Sequence, residues 1–283
     1  MRLLSIQSEV AYGHVGNSAA AFPLQRLGVE VLPVSTVVYS NHTGYGSWRG
    51  LRLSPTDVAD VILGIEERGA FPTIDVVLSG YLGDAGVAGV VAGAVARVKA
   101  ANPAAIYSCD PVMGNATVGS FVAADIPDLL RRTLVPQADL ITPNQFELGL
   151  LTGTAPTTLE SLLASVDLAL ALGPSTVLVT SVTREDADPA SIEMLAADAT
   201  GAWLVRTPRL PGKFGGTGDV TAALFTAHLR STGDAALSLA RTASSVFDLI
   251  ELTVRSGEPE LRLVEAQERY VQPRLQFAVD RLR

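Results

Sequence analysis

Gly215-Gly216-Thr217-Gly218-Asp219-Val220-Thr221-Ala222-Ala223-Leu224 sets small residues ahead of one carboxylate and then begins an apolar helix. Glycine at 216 and 218 lets the backbone turn tightly and approach a ligand with no Cβ in the way. The first N–H groups of a helix lack internal partners, and the helix dipole favours an anion beside them. Asp219 would stand at the mouth of such an anion cradle. A phosphate next to a carboxylate base is what moving a phosphoryl group onto a hydroxyl requires. The same residues also suit a glycine-rich loop with Asp219 as a plain helix cap, a role Asp often fills. The stretch alone leaves both readings open.

Outward from it, short apolar runs alternate with helical ones. The pattern predicts strands at Leu3–Ile6, Val29–Val38, Asp75–Leu78, Ala105–Ser108, Leu140–Thr142 and Thr176–Thr180. Between them it predicts helices over Asn17–Leu27, closed by Gly28, and over Val58–Glu67 behind a Ser54-Pro55 start. Further helices are predicted over Ala85–Ala100 and from a Thr157-Thr158-Leu159-Glu160 capping box to about Leu172. Ser191–Leu195 and Ala202–Val205 read as a hairpin at the sheet edge, and Val220–Leu229, Ala235–Val254 and Leu261–Tyr270 as closing helices. Alternating strands and helices imply an α/β fold: a mostly parallel central sheet with helices on both faces and a small edge hairpin. No repeat or linker divides the chain, so a single domain over 1–283 is expected.

The chain has 283 residues, of which 48% are hydrophobic, enough to bury a large core. A net charge of −8 with no basic cluster makes nucleic acid a poor partner. Any nucleotide site must gather positive potential locally, from backbone amides, a metal ion or a few placed cations. Lys213, six residues before Asp219, is one of only two lysines and stands out for that reason. No run of about 20 apolar residues occurs, so no membrane span is expected. Nothing near Met1 reads as a signal peptide, and the lone Cys109 fits a reducing cytoplasm.

Ligands of such sheets bind beyond the carboxyl ends of the strands. Polar or glycine-rich exits fall there: Ser8, Asn41–Thr43, Gly80-Tyr81, Asp110, Asn144 and Thr180. Ser8 heads a loop through Tyr12, Gly13, His14 and Gly16, and Asn17 suits the cap of the next helix. No nucleophile elbow surrounds Ser8, which argues against serine hydrolysis. Asn41-His42-Thr43-Gly44-Tyr45-Gly46 crowds donors, acceptors and rings into one wall of an aromatic pocket, although a histidine such as His42 is more often structural. Tyr81 suits a ring cover or plain packing. Asp110-Pro111 reads either as a metal-facing carboxylate or as a turn start. Asn144 with Glu147 three residues later reads either as a phosphate and metal pair or as a capping box. No Walker A run and no dinucleotide fingerprint is present. Paired Cys or His at zinc spacing is missing too.

Taken in order, these pieces resemble the pyridoxal kinase family of the ribokinase-like superfamily. The resemblance covers nearly the whole chain. Ser5-Ile6-Gln7-Ser8 through Tyr12-Gly13-His14-Val15-Gly16-Asn17 looks like the opening motif, and Ser40-Asn41-His42-Thr43-Gly44-Tyr45 like the vitamin-binding segment. Cys109-Asp110-Pro111-Val112-Met113-Gly114, Ile141-Thr142-Pro143-Asn144-Gln145-Phe146-Glu147 and Gly216-Thr217-Gly218-Asp219 follow in the family's order. The resemblance implies ATP-dependent phosphorylation of the 5′-hydroxymethyl group of pyridoxal, with pyridoxamine and pyridoxine as further substrates. Asp219 is then the base, and backbone N–H groups of Gly216, Thr217 and Gly218 steady the moving phosphoryl. Ser8, Thr43, Gly44, Tyr81 and Asp219 bind the vitamer. Asp110, Thr142, Asn144, Glu147, Thr180, Ser181, Thr217 and Gly218 line the ATP site. Asp110 and Glu147 organise Mg2+ through water, and Thr142 with Asp110 frames a K+ or Na+ site. Arg206–Phe214 flanks and covers ATP, and the protein pairs as a homodimer. Position 180 is Thr where some bacterial relatives carry Lys. The rival readings are a hydroxymethylpyrimidine or sugar kinase of the same superfamily, and a B6-binding protein without turnover.

Overall fold

The computed structural model describes residues 1–283. Its first half runs β1 (Arg2–Tyr12), α1 (Asn17–Arg26), β2 (Glu30–Asn41), β3 (Gly50–Arg52), α2 (Pro55–Glu67), β4 (Val76–Ser79), α3 (Val87–Ala101) and β5 (Ile106–Cys109). A two-stranded flap, β6 (Gly114–Asn115) and β7 (Gly119–Ser120), precedes α4 (Ile126–Leu129), β8 (Leu140–Ile141), α5 (Gln145–Thr152) and α6 (Leu159–Leu170). The chain ends with β9 (Thr176–Val182), β10 (Ser191–Asp198), β11 (Gly201–Pro208), α7 (Thr217–Thr232), α8 (Ala235–Ser256), α9 (Gln267–Val271) and β12 (Val279–Arg281).

Ten strands make one sheet in the order β12-β11-β10-β9-β8-β5-β4-β1-β2-β3. The six from β9 to β2 run parallel, and antiparallel strands flank them on both sides. Central strands such as Val76-Val77-Leu78 are buried on both faces, as a parallel sheet demands. One face packs on Val58 and Ile62 of α2, Val91 and Val95 of α3, Leu148 of α5 and Leu162 of α6. The other packs on α1, α7 and α8 through Leu24, Ala223, Leu224 and Leu249. After β1 the chain adds β2 on one side and β4, β5, β8 and β9 on the other. The strand order therefore reverses at β1, which opens a crevice beyond the carboxyl ends of β1 and β4.

Several expectations shift at element ends. The first strand extends through Tyr12, so Ser8 lies in β1 rather than in a loop. Its pairing with β2 continues past an irregularity between Gln7 and Glu9, which the polar residues there disguise. Gly16, not Asn17, caps α1. Asn17 instead turns inward and donates to the Val34 carbonyl at 3.1 Å. The capping box of α6 pairs Thr158 with Ser161, one residue later than expected. Leu261–Tyr270 is helical only over Gln267–Val271. Leu261, Leu263 and Ala266 are held by burial against α8, and their spacing imitates a helix face. The hairpin of β10 and β11 is closed off by β12, whose three residues pair with Trp203, Leu204 and Val205.

Candidate active site

Gly216 is the N-cap of α7 with φ 81, a left-handed conformation that an L side chain adopts at a cost. A Cβ there would also run into the His14 carbonyl oxygen. No side chain caps this helix, so the N–H groups of its first turn point into the crevice with the positive end of the dipole behind them. A Cβ added to Gly218 would meet nothing within 4 Å, so open space lies over the cradle. Asp219 is the third residue of the helix. The nearby Gly16 N–H and its own N–H favour the anion, yet burial still pushes its carboxyl up to about 6. At neutral pH the group is mostly ionised and lies close to the pH where it accepts protons.

Facing this helix are the ends of β5 and β8 and the start of α5. Asp110 is 7% exposed and accepts the Thr142 hydroxyl on Oδ1 at 2.9 Å. Burial, with the neighbouring Glu147 and Asp219 carboxylates, raises its pKa well above the usual range. Glu147 is 4% exposed, and burial lifts it to about 7. Its Oε1 accepts the Met113 and Gly114 N–H groups at 2.8 and 3.2 Å, and its Oε2 accepts the Asn144 N–H at 2.9 Å. Asn144 Oδ1 returns a bond from the Glu147 N–H at 3.0 Å, which completes a capping box. The capping reading of these two residues therefore describes their contacts. Asn144 also donates to the Gly114 carbonyl at 2.8 Å and so ties α5 to the β6–β7 flap.

Three acidic groups thus share a small volume, and none of them forms an ion pair with Lys or Arg. The donor set fits a hydrated divalent cation. Asp110 keeps one carboxylate oxygen clear of hydrogen bonds for a metal-bound water, whereas both oxygens of Glu147 are engaged and it offers chiefly charge. No three His, Cys, Asp or Glu side chains converge as a direct ligand set, so water and phosphate oxygens would complete the shell, as magnesium prefers. Thr142, 3% exposed, keeps its oxygen lone pairs beside Asp110 and fits a monovalent-cation ligand.

Thr180 and Ser181 end the parallel part of β9 beside a register shift against β10. Ser181 has φ 53, the one non-glycine residue with positive φ in the chain. Strain of this kind concentrates at working sites, and here it leaves the Ser181 side chain exposed at the strand end. Thr180 bridges to Asn144, which brings the β8 and β9 exits together. The Arg206–Phe214 segment expected over ATP is not one loop. Arg206 to Pro208 belong to β11, and Arg206 pairs at 2.9 Å with Glu193, itself held by Arg184 at 2.7 Å. Lys213 is exposed in the remaining loop. Cys109 is buried and its thiol is pushed up to about 12, so it holds its proton and is no nucleophile.

On the other side of the crevice, the Ser8 hydroxyl is nearly buried and a Cβ on Gly16 would strike it. Thr43 and Gly44 form a short 3-10 turn capped by His42, whose Nδ1 accepts the Gly44 N–H at 3.2 Å. Tyr81 is half-buried and packs with Val10, Val37 and Tyr39. Its carbonyl accepts the Thr36 hydroxyl at 2.7 Å. Glu260 went unnoticed in the sequence. Its carboxylate accepts the His14 N–H at 3.0 Å and the Tyr45 hydroxyl at 2.5 Å, with His42 Nε2 at 3.5 Å. His42 and Tyr45 stack with centroids 4.6 Å apart. Glu260 thereby ties the Asn41–Tyr45 turn to the Gly13–His14 loop, and His14 in turn abuts Gly216. No local pattern marks a residue 246 positions from its partner; a carboxylate beside a proline is common in any loop.

Three comparisons bear on this site. The family described as phosphomethylpyrimidine kinase matches residues 65–260. Pyridoxal kinase PdxY of Leifsonia xyli subsp. xyli is 67% identical to this chain, and that of Corynebacterium diphtheriae 57%, each over 100% of both chains. The solved pyridoxal kinase from Leishmania donovani in complex with ADP and pyridoxine has a TM-score of 0.93 at 30% identity, covering 100% of this chain and 99% of that one. With a shared sheet and full-length identity of this order, the chain belongs to the pyridoxal kinase family of ribokinase-like folds.

Proposed function

We propose that this chain, acting as one domain, transfers the γ-phosphoryl group of ATP to the 5′-hydroxymethyl group of pyridoxal. The observation that carries the reading is the uncapped α7 N-terminus with Asp219 beside it. Asp219 takes the hydroxyl proton as the oxygen forms its bond to the γ-phosphorus. The bond from that phosphorus to the β–γ bridging oxygen breaks, and ADP leaves. N–H groups from Gly216 to Asp219 meet the charge that spreads over the transferred group. Thr180, Ser181, Thr217 and Asn144 border the nucleotide, and Asn144 has one amide N–H left to offer. Ser8, Thr43, Gly44 and Tyr81 border the vitamer, and Glu260 holds the turn that carries two of them. Asp110 would hold magnesium, Glu147 would add negative charge beside it, and Thr142 with Asp110 would hold K+ or Na+. A magnesium ion there would supply Lewis-acid charge to the phosphates of ATP.

Support for the substrate comes from the pyridoxal kinases of high identity and from a relative solved with ADP and pyridoxine. A cytoplasmic homodimer fits the same family; no helix is long and apolar enough to cross a membrane. The match to the phosphomethylpyrimidine kinase family favours a second substrate, hydroxymethylpyrimidine. The test is ADP release with ATP and magnesium on pyridoxal, pyridoxamine, pyridoxine and hydroxymethylpyrimidine, with 31P NMR of the product. Pyridoxal is expected to give the highest kcat/KM. A clear preference for the pyrimidine would replace the reading.

A further inference from the structure

At the opposite end of the sheet, behind the amino ends of the strands, lies a cavity of about 690 Å3. That volume matches pockets for small organic ligands. Arg230, Arg241 and His228 line it. Arg230 leaves its buried Nε without a partner, and its reach to Asp75 is a loose 3.8 Å. Arg241 makes no ion pair. His228 is 5% exposed, and its Nε2 is buried with no hydrogen-bond partner. Burial and the nearby Arg241 lower His228 to about 4, so at neutral pH the ring is uncharged and offers one donor and one acceptor nitrogen. Two arginines against a single carboxylate make a cationic pocket in a chain whose net charge is −8.

The end of α7 would ordinarily repel an anion, because carbonyls point out of a helix C-terminus. Here two of the carbonyls near that end are occupied, and the two arginines outweigh the rest. Gly233 N–H closes on the Leu229 oxygen at 2.8 Å, and the Ser231 and Thr232 hydroxyls donate to the His228 oxygen at 2.9 and 2.8 Å. Leu27, Val29 and Leu275 supply an apolar wall. We propose that this cavity binds a small organic anion, with its phosphate or carboxylate between Arg230, Arg241 and His228 and its apolar body against that wall. The site is separate from the crevice. His228 follows Asp219 by nine residues on one helix, roughly 14 Å of rise.

The test is calorimetric titration at neutral pH of the whole protein saturated with pyridoxal and a non-hydrolysable ATP analogue, so that the crevice is filled. Phenyl phosphate, benzoate, inorganic phosphate and benzyl alcohol are the probes. Phenyl phosphate or benzoate is expected to bind one site, and the tighter of the two identifies the anionic group. Inorganic phosphate should bind about tenfold more weakly, and benzyl alcohol not measurably. Arg241→Gln should weaken the anion about tenfold or more. Ser231→Glu sets a carboxylate at the exposed rim and serves if the first variant fails to fold; it should abolish binding. Binding unchanged in both variants, equal binding of benzyl alcohol, or no binding of either organic anion overturns the proposal. Inorganic phosphate binding as well as phenyl phosphate would mean an adventitious ion only, and also overturns it.

Discussion

Helices α5 and α7 begin alike and end up in opposite roles. Each has an acid three residues after its N-cap: Glu147 after Asn144, and Asp219 after Gly216. In α5 the cap is an Asn with extended backbone, and side chains satisfy the first turn from both directions. Its acid is spent on three N–H groups and fixes the β6–β7 flap. In α7 the cap is a left-handed Gly with no side chain, and the N–H groups are left for something else. Its acid lies near the Gly16 N–H, from the loop after β1, at the mouth of the crevice. An acid at the third helical position thus closes a helix end when its cap carries a polar side chain. It becomes a reactive group when the cap is bare.

The sharpest way to break this contrast is Asp219→Asn, which keeps the shape and removes the base. It is expected to lower kcat by roughly 10²–10⁴ while pyridoxal Kd stays within a few fold. Near-normal turnover in steady-state assays would remove Asp219 from the base role. Next in size is Gly218→Ala. The added methyl enters the open space over the cradle, and kcat/KM for ATP should fall about tenfold. Alanine also suits a helix better than glycine by up to about 1 kcal/mol, so thermal stability should hold or rise. A loss of stability with intact ATP kinetics would contradict an open cradle.

At the other helix the expectation inverts. Asn144→Ala removes the cap and the tie to Gly114, and should cost about 1–2 kcal/mol in urea denaturation. Its effect on kcat should be well below that of Asp219→Asn. A kinetic loss as large as that of the base variant would mean that α5 also works as a phosphate end.

The smallest effect concerns pH. With Asp219 near 6 in the folded protein, kcat/KM should rise with pH through a midpoint near 6. Stability takes the opposite sign. The folded state holds this proton more tightly than an unfolded chain, whose aspartate titrates near 4. Its contribution is complete below about pH 4 and is lost as pH climbs through about 6. Against the wild type, Asp219→Asn should therefore gain relative stability between those values. Parallel pH–stability curves for the two proteins would show that the carboxyl is not raised.

Much of this was open to a reader of the chain. The α/β alternation and the strand exits at Asp110, Thr142 and Thr180 follow from periodicity, because a buried parallel strand must be apolar and its exit polar. Element ends were less legible. Ser8 looked like a loop because its polarity hides a strand that β2 pairs beyond the core. Leu261–Tyr270 looked like a helix because burial against α8 spaces apolar residues much as a helix would. The Asn144–Glu147 spacing could not choose between capping and metal work; the Met113 and Gly114 N–H groups that engage Glu147 come from another segment.

The chain by itself determined the alternation of elements, the glycine-rich approach to Asp219 and the motif order that marks the family. These rest on local rules of periodicity, φ preference and helix-end hydrogen bonding, which neighbours in sequence decide. That Gly216, not Asp219, caps a helix begun at Thr217 was decided by the structure. Only the tertiary structure decided that the Glu147 and Asp219 carboxylates lie close enough to raise the pKa of Asp110, that Glu260 ties the Tyr45 turn to the His14 loop, and that Arg230 and Arg241 line one cavity with an unbonded His228 far from the crevice. Those facts depend on which distant groups share a low-dielectric space, and through-space electrostatics leaves no periodic trace in a sequence.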